Sequence, residues 1–173
     1  LALASVVAEN RRAQAQLLEL ATTDPLTGLF NYRKLLDVMR TEIARAHRTG
    51  RPFTVIFMDM DGLKRINDTF GHLVGSRALA RLAERMRASC RTIDTPARYG
   101  GDEFAIVLPE TDEAGARTVL GRLEGLLQAD TARPPIAVSG GVALFPRDGD
   151  SPTLLLRAAD RLLYEAKAKS PRR

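Results

Sequence analysis

Three acidic residues, Asp59, Asp102 and Glu103, hold the chemistry that can be read most directly from this sequence. Asp59 stands where the apolar run over 53–58 stops, and Asp102 and Glu103 follow Gly100-Gly101 in RYGGDEFAIVL, between an aromatic residue and a row of strand formers. Carboxylates that converge repel one another, so such a group persists when a cation neutralises it. Hard oxygen donors without convergent His or Cys favour magnesium or manganese over zinc. Gly100 and Gly101 would let a hairpin turn with positive φ and let a ligand approach the backbone closely. The stretch DGLKRIND offers backbone amides near a helix start, Lys64 as a positive charge and Asn67 as an amide hydrogen-bonder. These are parts suited to phosphate, metal and the edge of a base. Taken singly, Gly-Gly-Asp-Glu also reads as a surface hairpin and Asp-Met-Asp as a helix cap; convergence is what would make a site.

The elements that must bring them together follow from periodicity. Pro25 and Gly28 mark a linker or hinge, after which Tyr32, Leu35, Leu36, Met39, Ile43 and Ala46 form the apolar stripe of a helix, with His47 on the surface at its end. The run over 53–58 reads as a buried strand. Leu73, Leu79, Leu82, Ala83 and Met86 make the next helix, 97–99 and 103–108 two strands, 113–128 a helix, 136–145 a strand with an irregularity at Gly140-Gly141, and 154–169 a final helix. The order β-α-β-β-α-β is the split βαβ arrangement of ferredoxin-like, palm-type sheets, an α+β fold flanked by helices. There the first strand runs antiparallel beside the third, so Asp59 should meet Asp102 and Glu103.

Ahead of this core, Leu3, Val6, Asn10, Ala13, Leu17 and Leu20 recur at alternating spacings of three and four, the a/d seam of a coiled coil. Two domains are expected: a helical stalk over 1–22 descending from an upstream sensory or regulatory region, and a catalytic domain over 23–173. A helix packed on its own domain is the competing reading of the seam. One cysteine, Cys90, excludes an internal disulfide and reads as a buried thiol, which points to the cytosol. No uncharged apolar run approaches the roughly 20 residues that span a bilayer, so a cytoplasmic domain is expected, with any membrane anchor lying in other sequence. The formal charge of +5 comes from Lys and Arg scattered along helices, without a basic block or interleaved aromatics, so a nucleic-acid partner is not expected.

The motifs DPLTGLFN (24–31), DMDGLKRINDTFGH (59–72), RYGGDEF (98–104), VSGGVALFP (138–146) and ADRLLYEAK (159–167) together resemble the GGDEF domain of the diguanylate cyclase family. The resemblance covers nearly the whole chain beyond the stalk. It implies condensation of two GTP to cyclic di-GMP with release of two pyrophosphates, a ribose 3′-hydroxyl attacking the α-phosphate of the other GTP. By matched position, Asp59, Asp102 and Glu103, with the main chain of Met60, would hold two Mg2+ (or Mn2+) ions. One of the acidic pair would assist deprotonation. Lys64 and Lys167 would contact the triphosphate, Gly100 and Gly101 would admit guanosine against the hairpin, and Asn67 would bond the guanine edge. A two-fold symmetric product implies a homodimer of domains. Arg91 and Asp94 stand in the RxxD spacing of the family's product-inhibition site, with Arg122 as a second arginine.

Three positions depart from the family pattern. Ser76 stands where a second guanine-reading acid is usual, Leu63 replaces an aromatic, and Pro171 replaces an arginine, leaving Lys167 with Lys169 or Arg172 for the triphosphate. Losing a charged hydrogen bond at Ser76 costs about 1.5–3 kcal/mol, roughly 10- to 100-fold in affinity. Two other readings therefore stand beside the active cyclase. One is a catalytically impaired module that binds GTP or cyclic di-GMP; the other is a metal-dependent nucleotidyl transfer with a different nucleotide preference.

Overall fold

The computed structural model of the chain describes Val7, Arg11 and residues 21–169. The seam positions Leu3, Val6, Asn10, Ala13, Leu17 and Leu20, the side chain of Lys169, and Pro171 and Arg172 lie outside the described residues. Along the described chain run α1 (Tyr32–Thr49), β1 (Phe53–Met60), α2 (Leu63–Phe70), α3 (His72–Ser89), β2 (Thr95–Gly100), β3 (Glu103–Leu108), α4 (Glu113–Gln128), β4 (Val138–Phe145) and α5 (Pro152–Lys169). No helix among the described residues is long and apolar enough to cross a membrane.

The strands form one antiparallel sheet in the order β2-β3-β1-β4, as the split βαβ reading expects. Because β1 is central and covered on both faces, its sequence runs apolar without alternation. Val55 and Phe57 pack with Leu35 and Met39 of α1 and Leu155 and Leu163 of α5. Ile56 and Met58 pack with Ile66 of α2, Leu79 and Leu82 of α3 and Leu123 of α4. Successive β1 side chains thus feed two cores, one on each side of the pleat.

Local signals fix the helix ends. Asn31 caps α1 by accepting from the Lys34 amide, and Gly50 closes it in the left-handed conformation at φ 71°. Asp112 caps α4 by accepting from the Gly115 amide at 2.8 Å. The helix expected after Asp59 proves to be two, α2 and α3, because Gly71 at φ 86° separates them.

Gly140 and Gly141 also differ from expectation: β4 pairs with β1 in unbroken register through both. They are glycines because α5 and α4 press on the strand. A Cβ on Gly141 would run into the Ala159 carbonyl and the Leu163 amide, and one on Gly140 would lie 3.0 Å from Leu120. Gly141→Ala is expected to lower stability by about 1–3 kcal/mol, several degrees in Tm. Gly121→Ala, on α4 where an added Cβ meets nothing within 4 Å, is expected to raise it by about 0.5–1 kcal/mol. Thermal denaturation of the two variants side by side checks both.

Candidate functional site

The antiparallel pairing of β1 and β3 sets Asp59 opposite Glu103, and β4 brings Ser139 opposite Asp59 on the other side. The Met60 amide donates to the Asp102 carbonyl at 2.9 Å, so the carboxyl end of β1 abuts the β2–β3 turn as the topology requires. Gly101 makes that turn at φ 53°; Gly100 keeps an ordinary negative-φ backbone, so positive φ is needed at one of the two glycines and not both. A Cβ on Gly100 would meet no atom within 4 Å. Packing within the chain therefore does not demand a glycine there, and the open space is available to a ligand.

Like charges placed directly opposite on neighbouring strands destabilise the pair, and the carboxyls respond. Asp59 is pushed above the usual carboxylate range, first by burial and then by Asp102 and Asp61, with the Lys167 hydrogen bond pulling the other way. Glu103 is raised by burial, then by Asp102, Asp59 and Asp160. The Lys167 ammonium, delivered from α5, lies 2.5 Å from Asp59 Oδ1 and 3.8 Å from Asp61 Oδ1. Asp61 was not among the residues singled out from sequence. Its carboxylate accepts from the Ser139 hydroxyl at 2.9 and 3.1 Å, and its amide donates to the Ala137 carbonyl. Among the described residues no three His, Cys, Asp or Glu side chains form a closed ligand set. The donor chemistry nonetheless fits a hard divalent cation: carboxylate oxygens that oppose one another's ionisation and already draw in an ammonium.

Beside the turn, a recess of about 200 Å³ has apolar walls of Leu26, Leu63 and Leu79 and polar groups from Asn67, His72, Ser76 and Arg98, with Gly101 at its edge. Gly75 is a glycine because a Cβ there would collide with the Asn67 carboxamide. Asn67 and Ser76 are thus brought to one recess; His72 and Arg98, which also line it, were not singled out from sequence. Lys64 is exposed in the first turn of α2.

Arg98 ties this region to the segment read as a linker or hinge. It donates from Nη1 to both Asp24 carboxylate oxygens (3.2 and 3.1 Å) and from Nε and Nη2 to the Gly101 carbonyl (3.1 and 2.7 Å). Asp24 also accepts from the Thr27 amide and hydroxyl, and the Gly28 amide donates to the Asp24 carbonyl. Phe30 makes a bridge to Ala97 on β2. Residues 24–30 are therefore a fastened turn, not a slack linker, because the half-buried Arg98 guanidinium and the Asp24 carboxylate hold them.

Arg91 and Asp94 form an ion pair at 3.0 Å; the Arg91 amide donates to the same carboxylate at 2.7 Å, and Arg91 Nη2 reaches the Thr111 hydroxyl at 2.7 Å. The ordinary helix-end salt bridge is thus present, and its Asp94 is buried. Arg122 donates to the Ser89 carbonyl at 3.0 Å. Arg91, Asp94, Arg87 and Cys90 line a larger recess of about 400 Å³. The Cys90 thiol is pushed up to about 11, mainly by burial and then by Asp94, so it stays protonated and unreactive at neutral pH.

Two measurements probe these contacts. Lys167→Met removes the ammonium from Asp59; the metal-free chain should lose up to about 1 kcal/mol, and Mg2+ should raise the Tm of the variant more than that of the parent. At Asp24, burial raises the carboxyl pKa, but hydrogen bonds from Thr27 and then Arg98 outweigh it and hold the group below 3.8. Its contribution is therefore complete above pH 3.8 and lost as pH falls through the lower folded value. Asp24→Asn should be less stable than the parent at neutral pH, with the gap closing in that acid range on denaturant titration.

The sequence profile of the GGDEF family, described as diguanylate cyclase, GGDEF domain, matches residues 21–173. The chain is 37% identical over 158 residues to the response regulator PleD of Caulobacter vibrioides, covering 87% of this chain and 35% of PleD. It thus spans about a third of that relative's length. It resembles the diguanylate cyclase SiaD of Pseudomonas aeruginosa, solved in complex with its activator SiaC, at TM-score 0.83 and 33% identity over 97% of this chain and 69% of that one. It also resembles the coiled coil and GGDEF domain of DgcB from Caulobacter crescentus, solved in complex with c-di-GMP. That match has TM-score 0.84 and 28% identity, over 96% and 92% of the two chains.

Proposed function

This chain belongs to the GGDEF family of diguanylate cyclases, and from that premise we propose that it condenses two GTP to cyclic di-GMP, with two pyrophosphates released. The observation that supports this most is the Asp59–Glu103 register with Asp102 beside it: three carboxylates at one sheet end, where a reacting triphosphate needs charge neutralised. In each half-reaction a ribose 3′-oxygen forms a bond to the α-phosphorus of the other nucleotide. The bond from that phosphorus to the bridging oxygen breaks, pyrophosphate leaves, and the hydroxyl proton passes to a carboxylate, Asp102 or Glu103. Asp59, Asp102, Glu103 and the main chain of Met60 would hold two Mg2+ (or Mn2+) ions, which when bound supply charge stabilisation at the phosphate. Lys167 exchanges its contact with Asp59 for the triphosphate, and Lys64 adds a second ammonium. Guanosine lies against Gly100 and Gly101, with its base in the recess and its edge on Asn67.

Each domain holds one nucleotide, so two copies must face each other. Residues 1–22 serve as the stalk that pairs them, and an upstream region acts by setting how they meet. Product returns to Arg91, Asp94 and Arg122, whose guanidinium groups suit phosphates and guanine edges; the recess of about 400 Å³ beside Arg91 and Asp94 supports that reading. Ser76 in the base recess favours one alternative, a module that binds GTP or cyclic di-GMP without turnover.

Incubating the chain with GTP and Mg2+ and separating the products tests the reading. Cyclic di-GMP should form, and Glu103→Gln should cut the rate by about 100-fold or more. Removal of residues 1–20 should make activity steeply concentration-dependent, and Arg91→Ala should relieve product inhibition. Binding of cyclic di-GMP with no product at high GTP would select the non-catalytic alternative.

A further inference from the structure

We infer that Asp61 is a positioning residue for the Lys167 ammonium: it keeps that charge at the end of the sheet when Asp59 is given over to a cation, and so presents it to the triphosphate. The inference rests on the preceding reading, in which Lys167 exchanges its contact with Asp59 for the nucleotide.

The backbone puts the two aspartates within reach of one lysine. Val55 and Phe57 point to the face that α5 covers, and the strand's period of two carries Asp59 to the same face. The Asp61 amide donates to the Ala137 carbonyl at 2.9 Å, so the chain stays beside the segment entering β4 for one residue past the end of β1. Lys167, delivered from α5, then stands between two carboxylates, 2.5 Å from Asp59 Oδ1 and 3.8 Å from Asp61 Oδ1.

The acids divide by side. Glu103 and Asp102 adjoin β1 from the β3 side. Asp61 is fastened on the β4 side, where the Ser139 hydroxyl lies 2.9 and 3.1 Å from its two oxygens. A hydroxyl has one proton to donate, so the Asp61 carboxylate keeps lone pairs for another donor, and Lys167 is in ion-pair reach. The acids on the β3 side suit a cation; the one on the β4 side suits the ammonium.

This division accounts for an acid that would otherwise be a liability. A carboxylate beside a triphosphate repels it, and Asp61 is not needed for the proposed cation set of Asp59, Asp102 and Glu103. An Asp59 oxygen that faces a divalent cation is lost to the ammonium, and the flexible lysine stem would then disperse into solvent. A second carboxylate, itself held by Ser139 and by the backbone at Ala137, limits that loss. The ammonium passes from one acceptor to its neighbour without leaving the site. Having three donors, it keeps one on Asp61 and turns the others toward phosphate oxygens.

The test is a double-mutant cycle of Asp61→Asn and Lys167→Met. Calorimetry measures binding of a non-hydrolysable GTP analogue in Mg2+, and steady-state kinetics with GTP separate KM from kcat. Asp61→Asn keeps an acceptor for Ser139 and removes the charge. It should weaken analogue binding and raise KM by about three- to fivefold, the size of a half-exposed ion pair, with kcat within about twofold of the parent. In the Lys167→Met background the same substitution should no longer weaken binding, because there is no ammonium to hold. In a titration of Mg2+ against Tm without nucleotide, the midpoint for Asp61→Asn should stay within about threefold of the parent.

Three results would overturn the inference. Tighter analogue binding by Asp61→Asn in the parent background would mean that the carboxylate only repels the phosphates. Equal weakening in both backgrounds would make its role purely structural, and a Mg2+ midpoint shifted by about tenfold or more would make it a cation ligand. Coupling in the binding cycle with no cyclic product at high GTP supports the role of Asp61 and removes the cyclase reading; cyclic product without coupling does the reverse. Ser139→Ala leaves the charge and frees its carboxylate, so it should weaken binding by a smaller factor that Lys167→Met also cancels. That cycle decides where Asp61→Asn does not fold.

Discussion

The register that sets Asp59 against Glu103 is the constraint on which the rest of the molecule turns. An antiparallel sheet does not ordinarily place like charges opposite each other, and doing so at the end of its most buried strand is costlier still. The apolar body of β1, packed into a core on each face, holds that arrangement against its own repulsion. The charge is left to be answered from outside the strand, and Lys167 answers it from α5. The fold thus stores an unmet demand for positive charge at one place, with a side chain that can supply part of it or withdraw.

How much of this could be read in advance depended on whether the signal was local. The apolar run of β1 lies in consecutive residues, and the topological rule for split βαβ sheets then brought Asp59 to the turn without any contact being known. The break between α2 and α3 was not legible, because a positive-φ glycine between two helical stretches looks the same in sequence as a tolerated one. The pair Gly140-Gly141 was legible as something unusual and misread as an irregularity, since the helices that need the space come from distant parts of the chain. Arg98–Asp24 and Lys167–Asp59 are pairings between distant residues, and sequence spacing carries no information about which long side chain meets which acid.

The tie through Arg98 alters the meaning of the turn at 24–28. A single guanidinium touches both the Asp24 carboxylate and the Gly101 carbonyl, so the segment entering the domain and the hairpin that bears the acids share one rigid joint. The same residue edges the recess lined by Asn67 and Ser76. Entry strap, acid-bearing turn and recess are neighbours through one side chain.

Gly141 gives the charged end of the site its ruler. The α5 backbone at Ala159 and Leu163 lies directly on this glycine, and Leu163 sits one helical turn before Lys167 on the same face. The point of contact acts as a fulcrum and the last turn of α5 as a short lever with an ammonium at its tip. The closeness of that contact sets how near to the sheet α5 lies, so a residue with no charge of its own helps to place the ammonium that meets Asp59.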